Sequence, residues 1–597
     1  MKLIPYSSVQ LKNGFFFDKQ ELNRTTTINA VYDRFSETGR IGSFAFGFPE
    51  TDPIRPHYFW DSDVAKWIEG AAYILCQHED PALEAKVDAI VADIERNQRE
   101  DGYFNIFFTV VQPENRWANR DWHELYCAGH LMEAAVAYAE ATGKTGLLTC
   151  METYADYIAK VFMEEKSAAF RTPGHEEIEL ALVKLYRHTG KRKYLDLAAY
   201  FINTRGTDED IGRVAYNQSH APVREQDSAV GHAVRAMYLY TGMAYLAAET
   251  KDETLITACK RLWDDVTKHK MYVTGGLGST YIGEAFTTPF DLPPDQAYTE
   301  TCAGIALCFF ANAMLALENK AVYADVIERA LYNGVLSGLS LDGAEFFYEN
   351  PLEINLSERF VSVWGARRFP AHRRVACFSC SCCPPNVNRL LASLGSYVYG
   401  LEGDTLYINQ FAGSEMTSGE IRATVTTAYP NEGNVTVTAT GVSKLAIRIP
   451  AWCDTFSLDR PYVMQDGYAL IDNDGTPVTL SMDLTPRRVW ADPRVLRAAG
   501  RVAIMKGPVV YCAEGTDNGE RELHSYVIPS DFTAAEEESD AYGLPVLTVP
   551  CRKEAADGEE LYRNASPKAE AATLRLIPYC AFANRAETDM RVWFRAE

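Results

Sequence analysis

The chain has 597 residues, of which 47% are apolar and 23% charged, and its formal net charge is −23. That length exceeds one ordinary core, so roughly two to four domains of soluble globular type are expected. The acidic balance argues against nucleic acid or an anionic membrane as partner, and no run of about eighteen apolar residues offers a membrane span. Residues 1–8 lack an apolar signal core, so a cytoplasmic location is expected.

In chain order, residues 1–14 are read as a strand or strands joining the first β-domain. From about residue 60 to about 400 the apolar period is helical. The segments are 63–77, 82–97, 124–140, 147–162, 178–188, 193–203, 233–249, 254–268, 301–318, 322–337 and 386–399. Thr142-Gly143-Lys144, Thr189-Gly190-Lys191, Glu249-Thr250-Lys251 and Glu318-Asn319-Lys320 each end one helix before the next. Gly143, Gly190 and Asn319 suit left-handed C-terminal caps. Repeated helix–turn–helix units mean helical hairpins side by side, and their number suggests a closed (α/α)6 toroid. Loops at 204–231, 271–298 and 341–382 are long and rich in Gly, Pro and aromatics, a pattern of functional rather than disordered insertions.

After residue 400, segments 404–410, 421–428, 434–440, 444–449 and 476–484 alternate like antiparallel strands, with turns at 431–433 and 472–475. A second β-rich stretch follows from 505, with an acidic insertion at 534–541. The expected fold is multidomain α+β: a helical toroid at 15–400, a β-sandwich at 401–504 and a second β-rich domain at 505–597.

Ten of the fourteen cysteines are scattered among apolar patterns, as buried free thiols are. The other four, Cys377, Cys380, Cys382 and Cys383, crowd together ahead of Pro384, Pro385 and Asn386. Adjacent cysteines sit too close for an ordinary disulfide, yet both can ligate one metal. The prolines stiffen the chain, and Asn386 is expected to cap the helix that starts there, where the dipole favours thiolate. Zinc takes four ligands, so two more are needed. Glu300 and Cys302, at the start of a predicted helix, are the best further donors. Glu300, Cys302, Cys382 and Cys383 would form a three-sulfur, one-oxygen site for Zn2+, and Cys377 or Cys380 could replace one of them. A closed site that only staples loops together is the plainer alternative.

Glu284 follows Gly275-Gly276-Leu277-Gly278, a plausible acid/base carboxylate or else a solvated loop residue; no phosphate-loop lysine accompanies these glycines. His123, His175 and His232 stand at predicted helix starts, where inner-helix ends of a toroid meet, and could bond sugar hydroxyls. Each alone reads more readily as a cap or core residue, but three in corresponding positions tilt the reading toward the sugar pocket. His130 reads as packing. Tyr58, Phe59, Trp60, Tyr103, Phe104, Trp117 and Trp122 flank helices and suit either sugar stacking or loop anchoring.

Together these residues resemble glycoside hydrolase family 127, the β-L-arabinofuranosidases and their relatives, over nearly the whole chain. The resemblance is carried by His-Glu-Leu-Tyr at 123–126, Gly-His-Ala-Val-Arg-Ala at 231–236 and Gly-Glu-Ala-Phe at 283–286. Glu-Thr-Cys at 300–302, Phe-Tyr-Glu-Asn-Pro-Leu-Glu at 347–353 and Cys-Ser-Cys-Cys-Pro-Pro-Asn at 380–386 complete it. It implies zinc on Glu300, Cys302, Cys382 and Cys383, with Cys382 also the nucleophile and Glu284 the general acid/base. It implies that His123, His175 and His232 line the sugar pocket, with Tyr348 a further candidate. The implied reaction is retaining release of terminal L-arabinofuranose from a small oligosaccharide or glycoside. Cys377 is extra to the family pattern. The tail after 500 looks short for the family, and a homodimer is left open.

Two rival readings stand beside this one. Another toroid carbohydrate enzyme with a structural zinc would need cations for an acidic substrate, for which Arg235, Arg373 and Arg374 are candidates. A sugar-binding protein with a closed metal site would bind without turnover.

Overall fold

A computed structural model describes residues 1–47, 55–356, 370–555 and 561–597. Part of the 341–382 loop thus lies outside the described residues. Helices occupy the chain up to residue 392. They are α1 (Phe15–Leu22), α2 (Ile28–Glu37), α3 (Trp60–Gln77), α4 (Pro81–Asn97), α5 (Glu124–Thr142), α6 (Gly146–Ala159) and α7 (Ile178–Thr189). There follow α8 (Arg192–Thr204), α9 (Ala233–Thr250), α10 (Glu253–Asp265), α11 (Thr301–Leu317), α12 (Ala321–Ala330) and α13 (Cys383–Ala392).

Sequence pattern divides these helices into two kinds. α11 reads Thr-Cys-Ala-Gly-Ile-Ala-Leu-Cys-Phe-Phe and is buried on nearly every side. α10 buries only Leu255, Ala258, Cys259, Leu262 and Trp263 along its length, an amphipathic stripe. The difference follows from position. α3, α5, α7, α9, α11 and α13 each pack on the next, and α13 packs back on α3. α4, α6, α8, α10 and α12 lie outside them, and α1 and α2 rest against α13. Close approach needs small residues: a Cβ on Gly129 of α5 would stand 2.8 Å from Ile178 N at the start of α7.

Every predicted helical segment meets a helix, but α1 and α2 were not predicted. α1 opens on three consecutive phenylalanines and shows no helical period; α2 buries Ile28, Val31 and Phe35 at helical spacing, but it is only ten residues long and follows a poorly helix-forming Asn-Arg-Thr-Thr-Thr. The caps need one correction. Gly143 and Gly190 are left-handed as expected, but Asn319 is not; α11 ends with Glu318 extended at φ −127°. Tyr323 Oη donates to the Glu318 carboxylate and Lys260 pairs with it, which fixes that exit by side-chain contacts.

The first β region contains two six-stranded sheets. One runs in the order Lys2–Leu3, Tyr399–Glu402, Thr405–Ile408, Lys444–Arg448, Tyr468–Asp472, Val463–Gln465. The other runs Phe456–Leu458, Val478–Met482, Asn434–Thr440, Ile421–Thr427, Gly413–Ser418, Val9–Asn13. Asn434–Thr440 buries alternate residues, as a strand with one face on a core must. The expectation of purely antiparallel pairing fails at Thr405–Ile408, which pairs parallel with Lys444–Arg448, so their connection crosses over through the second sheet. The last region forms a ten-stranded sheet. The acidic insertion belongs to it: Ala535–Glu537 pairs with Val546–Glu554.

Buried ionic contacts lock the sheets to the helices. Arg448 donates to Glu328 Oε1 at 2.6 Å and to Asp325 Oδ1 at 2.6 Å, and Tyr429 and Trp452 donate to the same glutamate. Among the described residues, no helix is long and apolar enough to cross a membrane.

Candidate active site

The loops entering the inner helices meet at one end. Cys382 immediately precedes α13, whose first turn carries Pro384 and Pro385; a missing N–H costs nothing there. Asn386 is not the cap that the sequence suggests. It lies inside the helix, donates to Tyr238 Oη and accepts from Arg389 Nε, because the helix starts three residues earlier. Glu300 immediately precedes α11, with Cys302 in its first turn. Two neighbouring helix N-termini thus present acidic groups to one point, where their dipoles favour negative charge.

Four side chains converge there. Cys302 Sγ lies 3.4 Å from both Cys382 Sγ and Cys383 Sγ, which are 3.8 Å apart. Glu300 Oε1 is 3.5 Å from Cys382 Sγ and 4.0 Å from Cys383 Sγ. Glu300, Cys302, Cys382 and Cys383 form a group able to hold a metal ion. Cys377 turns toward Ser381 Oγ at 3.2 Å, and Cys380 lies 4.0 Å from Tyr348 Oη; neither belongs to that group. Burial, then Cys382 and Glu284, push the Glu300 carboxyl well above its usual range. Such crowding of acids is what a cation relieves.

Glu284 reaches the cluster from the opposite side. Ala285 bridges to Thr280 and His232, and Tyr298 N–H donates to Gly278 O, which ties the glycine loop to the entrance of α11. Gly283 and Glu284 both have positive φ, 71° and 54°. For glutamate that conformation costs about 1–2 kcal/mol, and it points the carboxyl inward. His232 Nε2 is 3.1 Å from Glu284 Oε2, and Tyr348 Oη is 3.4 Å from the same oxygen. Val234 N–H donates to His232 Nδ1, so the proton of the neutral ring sits on Nε2 and points at the glutamate. Tyr348 Oη also lies 3.5 Å from Cys382 Sγ.

The other two histidines have the opposite tautomer. His123 Nδ1 is 2.7 Å from Asp121 O and His175 Nδ1 is 3.0 Å from Glu176 O, so each leaves Nε2 as an acceptor. Burial, then Arg235, lowers His123 to about 3 and holds His175 well below its ordinary value. The three rings stand in a row, with centroids 5.4 Å and 5.6 Å apart. They line a pocket of about 360 Å³ together with Glu284, Glu300, Cys302, Tyr348 and Cys382.

Several expected residues lie elsewhere. Tyr58 and Phe59 do line the pocket. Tyr103, Phe104 and Trp117 are core residues instead, and Trp122 stacks on Phe108. Arg374 donates to Ser337 O and Phe582 O, and Arg373 faces Glu587. Of three candidate cations only Arg235 faces the pocket, and it is held by Gly174 O and Asp121. Asp63, Asp121 and Tyr216 also line it and were missed. Only Asp63 carried a signal, one turn along α3 from Phe59.

A pocket of neutral imidazole acceptors, a held carboxyl and a thiol cluster belongs to a hydrolase that acts on glycosidic bonds, and comparison with known proteins gives its kind. The family model described as "Beta-L-arabinofuranosidase, GH127 catalytic domain" matches residues 8–396, and the family's C-terminal domain model matches 486–595. The chain belongs to glycoside hydrolase family 127. It is 39% identical to the non-reducing end β-L-arabinofuranosidase of Bifidobacterium longum subsp. longum, over 91% of this chain and 90% of that protein. The crystal structure of a GH127 β-L-arabinofuranosidase from Geobacillus stearothermophilus T6 superposes with a TM-score of 0.93 at 40% identity, covering 99% of this chain and 100% of that one. A further GH127 β-arabinofuranosidase structure gives 0.90 at 34% identity, covering 100% of this chain and 98% of that one.

Proposed function

We propose that this glycoside hydrolase releases L-arabinofuranose from the non-reducing end of small oligosaccharides or glycosides, with retention, using Cys382 as nucleophile and Glu284 as acid/base. The observation that carries the reading is the Tyr348 hydroxyl, in reach of both groups. It bounds Cys382 Sγ and Glu284 Oε2 to within about 7 Å of each other, a separation that admits the retaining spacing of about 5–5.5 Å.

Zinc is the ion that suits Glu300, Cys302, Cys382 and Cys383. Zn–S bonds of about 2.3 Å place tetrahedral sulfurs about 3.8 Å apart, close to the spacings present. When bound, the ion supplies the positive charge that keeps the thiols ionised near neutral pH. Cys382 Sγ then attacks the anomeric carbon, forming a carbon–sulfur bond as the glycosidic carbon–oxygen bond breaks. Glu284 gives its proton to the departing oxygen, then takes one from the water that cleaves the carbon–sulfur bond. His232 Nε2–H and the Tyr348 hydroxyl hold the Glu284 carboxyl through both steps. His123 and His175 accept from sugar hydroxyls at Nε2.

The same reading extends to the architecture. The inner helices, α13 returning to α3, support an (α/α)6 toroid at 15–400, with α1 and α2 in the sixth outer place. The two six-stranded sheets support a β-sandwich after residue 400, but Arg487–Val489 and Arg501–Lys506 belong to the ten-stranded sheet, so the separate β-rich domain is read as starting nearer 487 than 505. Fourteen free cysteines suit a reducing compartment such as the cytoplasm.

The test is a panel of p-nitrophenyl furanosides and pyranosides with zinc assayed alongside and the product anomer read by NMR. Hydrolysis of the β-L-arabinofuranoside with retained configuration is expected. Turnover of a different sugar only, or inversion, overturns the proposal.

A further inference from the structure

The side of the pocket where the leaving group must emerge has its own wall. Glu284 protonates the departing oxygen, so the leaving group lies on the Glu284 side, at the His232 end of the histidine row and away from His123. The tight turn that carries Glu284 begins at Tyr281, whose carbonyl accepts the Glu284 N–H. Tyr281 is 38% exposed and its neighbour Ile282 70% exposed. Across the turn stands Tyr216, also 38% exposed and part of the pocket lining. Its ring packs against Gly283, whose added Cβ would meet Tyr216 Cε2 at 3.4 Å, and lies edge-on to His232 at 5.8 Å. The Tyr216 carbonyl accepts the His232 N–H, so this wall and the acid/base share one backbone frame. The nearby Arg235 guanidinium lies 4.3 Å over the Tyr216 ring and bonds Gly174 and Asp121.

We propose that Tyr216, Tyr281 and Ile282 form the leaving-group subsite and select neutral leaving groups with a flat apolar face, a second sugar ring or an aryl group, over small alkyl alcohols. The inference rests on the assignment of Glu284 as the acid/base. The chemistry is that of sugar recognition generally: a ring's C–H face stacks on an aromatic or aliphatic surface, which binds without charge. Among the described residues lining the pocket, the arginine is Arg235, and it is already held by the Gly174 carbonyl and Asp121, so it offers an anionic leaving group little counter-charge.

The experiment compares wild type with Ile282→Ser, Tyr281→Ser and Tyr216→Leu on three β-L-arabinofuranosides: methyl, p-nitrophenyl and an arabinofuranosyl disaccharide. The readout is the ratio of kcat/KM for the disaccharide to that for the methyl glycoside, which cancels any loss of folded enzyme. The ratio is expected to fall about tenfold for Tyr216→Leu, the low end for one apolar contact, and less for each of the others. A ratio that stays at the wild-type value in all three variants overturns the subsite, whatever the absolute rates. Failure of wild type to cleave any of the three glycosides instead overturns the proposed activity, so the two failures are distinguishable.

Discussion

His232 donates from Nε2 to Glu284 Oε2 across 3.1 Å, and the direction is fixed because the Val234 N–H occupies Nδ1. The first turn of α9 thereby sets the proton position in the active site. His232→Ala removes the donor while leaving Glu284 in place. A fall in kcat/KM of about 10²-fold is expected, the cost of a misplaced catalytic group, with an unchanged far-ultraviolet circular dichroism spectrum. A variant as active as wild type would remove His232 from the mechanism.

Glu284→Gln keeps the shape of the side chain and removes its proton. The expected loss is about 10²–10⁴-fold on an alkyl glycoside and less on p-nitrophenyl, whose departing phenolate needs little protonation. The kcat/KM on each substrate, which reports cleavage of the glycosidic bond and not the later attack of water, decides it. Equal losses on the two would mean that the glutamate does not act on the leaving group.

Metal binding separates the four cluster residues from Cys377. Zinc bound per chain, measured by mass spectrometry after gel filtration, is expected near one for wild type and Cys377→Ala. Cys302→Ser should bind at least tenfold more weakly, since it removes a ligand from the group that converges at 3.4 Å. Chelation should abolish activity and added zinc should restore it. Full activity of a zinc-free preparation would refute the centre.

The pH dependence of stability has a defined sign at His175. Burial, then the Arg235 guanidinium, keeps this ring neutral far below its ordinary range. An unfolded chain takes up the proton near pH 6.5. Below that pH the unfolded state holds one proton more than the native state, so stability falls as pH drops, by up to about 1.4 kcal/mol per unit. His175→Gln lacks that group. Urea midpoints at pH 7.5 and pH 5 should therefore differ less for the variant than for wild type.

Arg448 and Glu328 couple the first β region to α12, at side-chain exposures of 0% and 1%. Glu328→Ala leaves the guanidinium with Asp325 and the Asn409 carbonyl and strips the Tyr429 and Trp452 donors of their acceptor. Breaking such a buried pair from one side costs about 3–5 kcal/mol. Equilibrium denaturation should show this loss, while the zinc content of the folded fraction stays at the wild-type level.

Several features were readable before any coordinates because their signals are local. Adjacent Cys382 and Cys383 before two prolines, and Glu300 two residues before Cys302, are short-range arrangements whose chemistry follows from ligand type. The interior helices read clearly because burial on all sides demands near-continuous apolar sequence, as in α11. α1 did not, because its three consecutive phenylalanines follow no helical period, and α2 did not, because its stripe of Ile28, Val31 and Phe35 is short. Asn386 was misread as a cap because prolines at the first turn allow a helix to begin earlier than a capping residue suggests.

From residue types and spacing alone came the donor set, the histidines at helix entrances and the carboxylate behind a glycine loop. Only the fold decided that these meet, that His232 and Tyr348 share Glu284, and that Trp117 and Arg374 turn away from the pocket. Side-chain direction depends on the packing of segments distant along the chain, which bring Cys302 and Cys382 to 3.4 Å although eighty positions separate them. No local pattern carries that distance; it is set when α11 and α13 pack side by side.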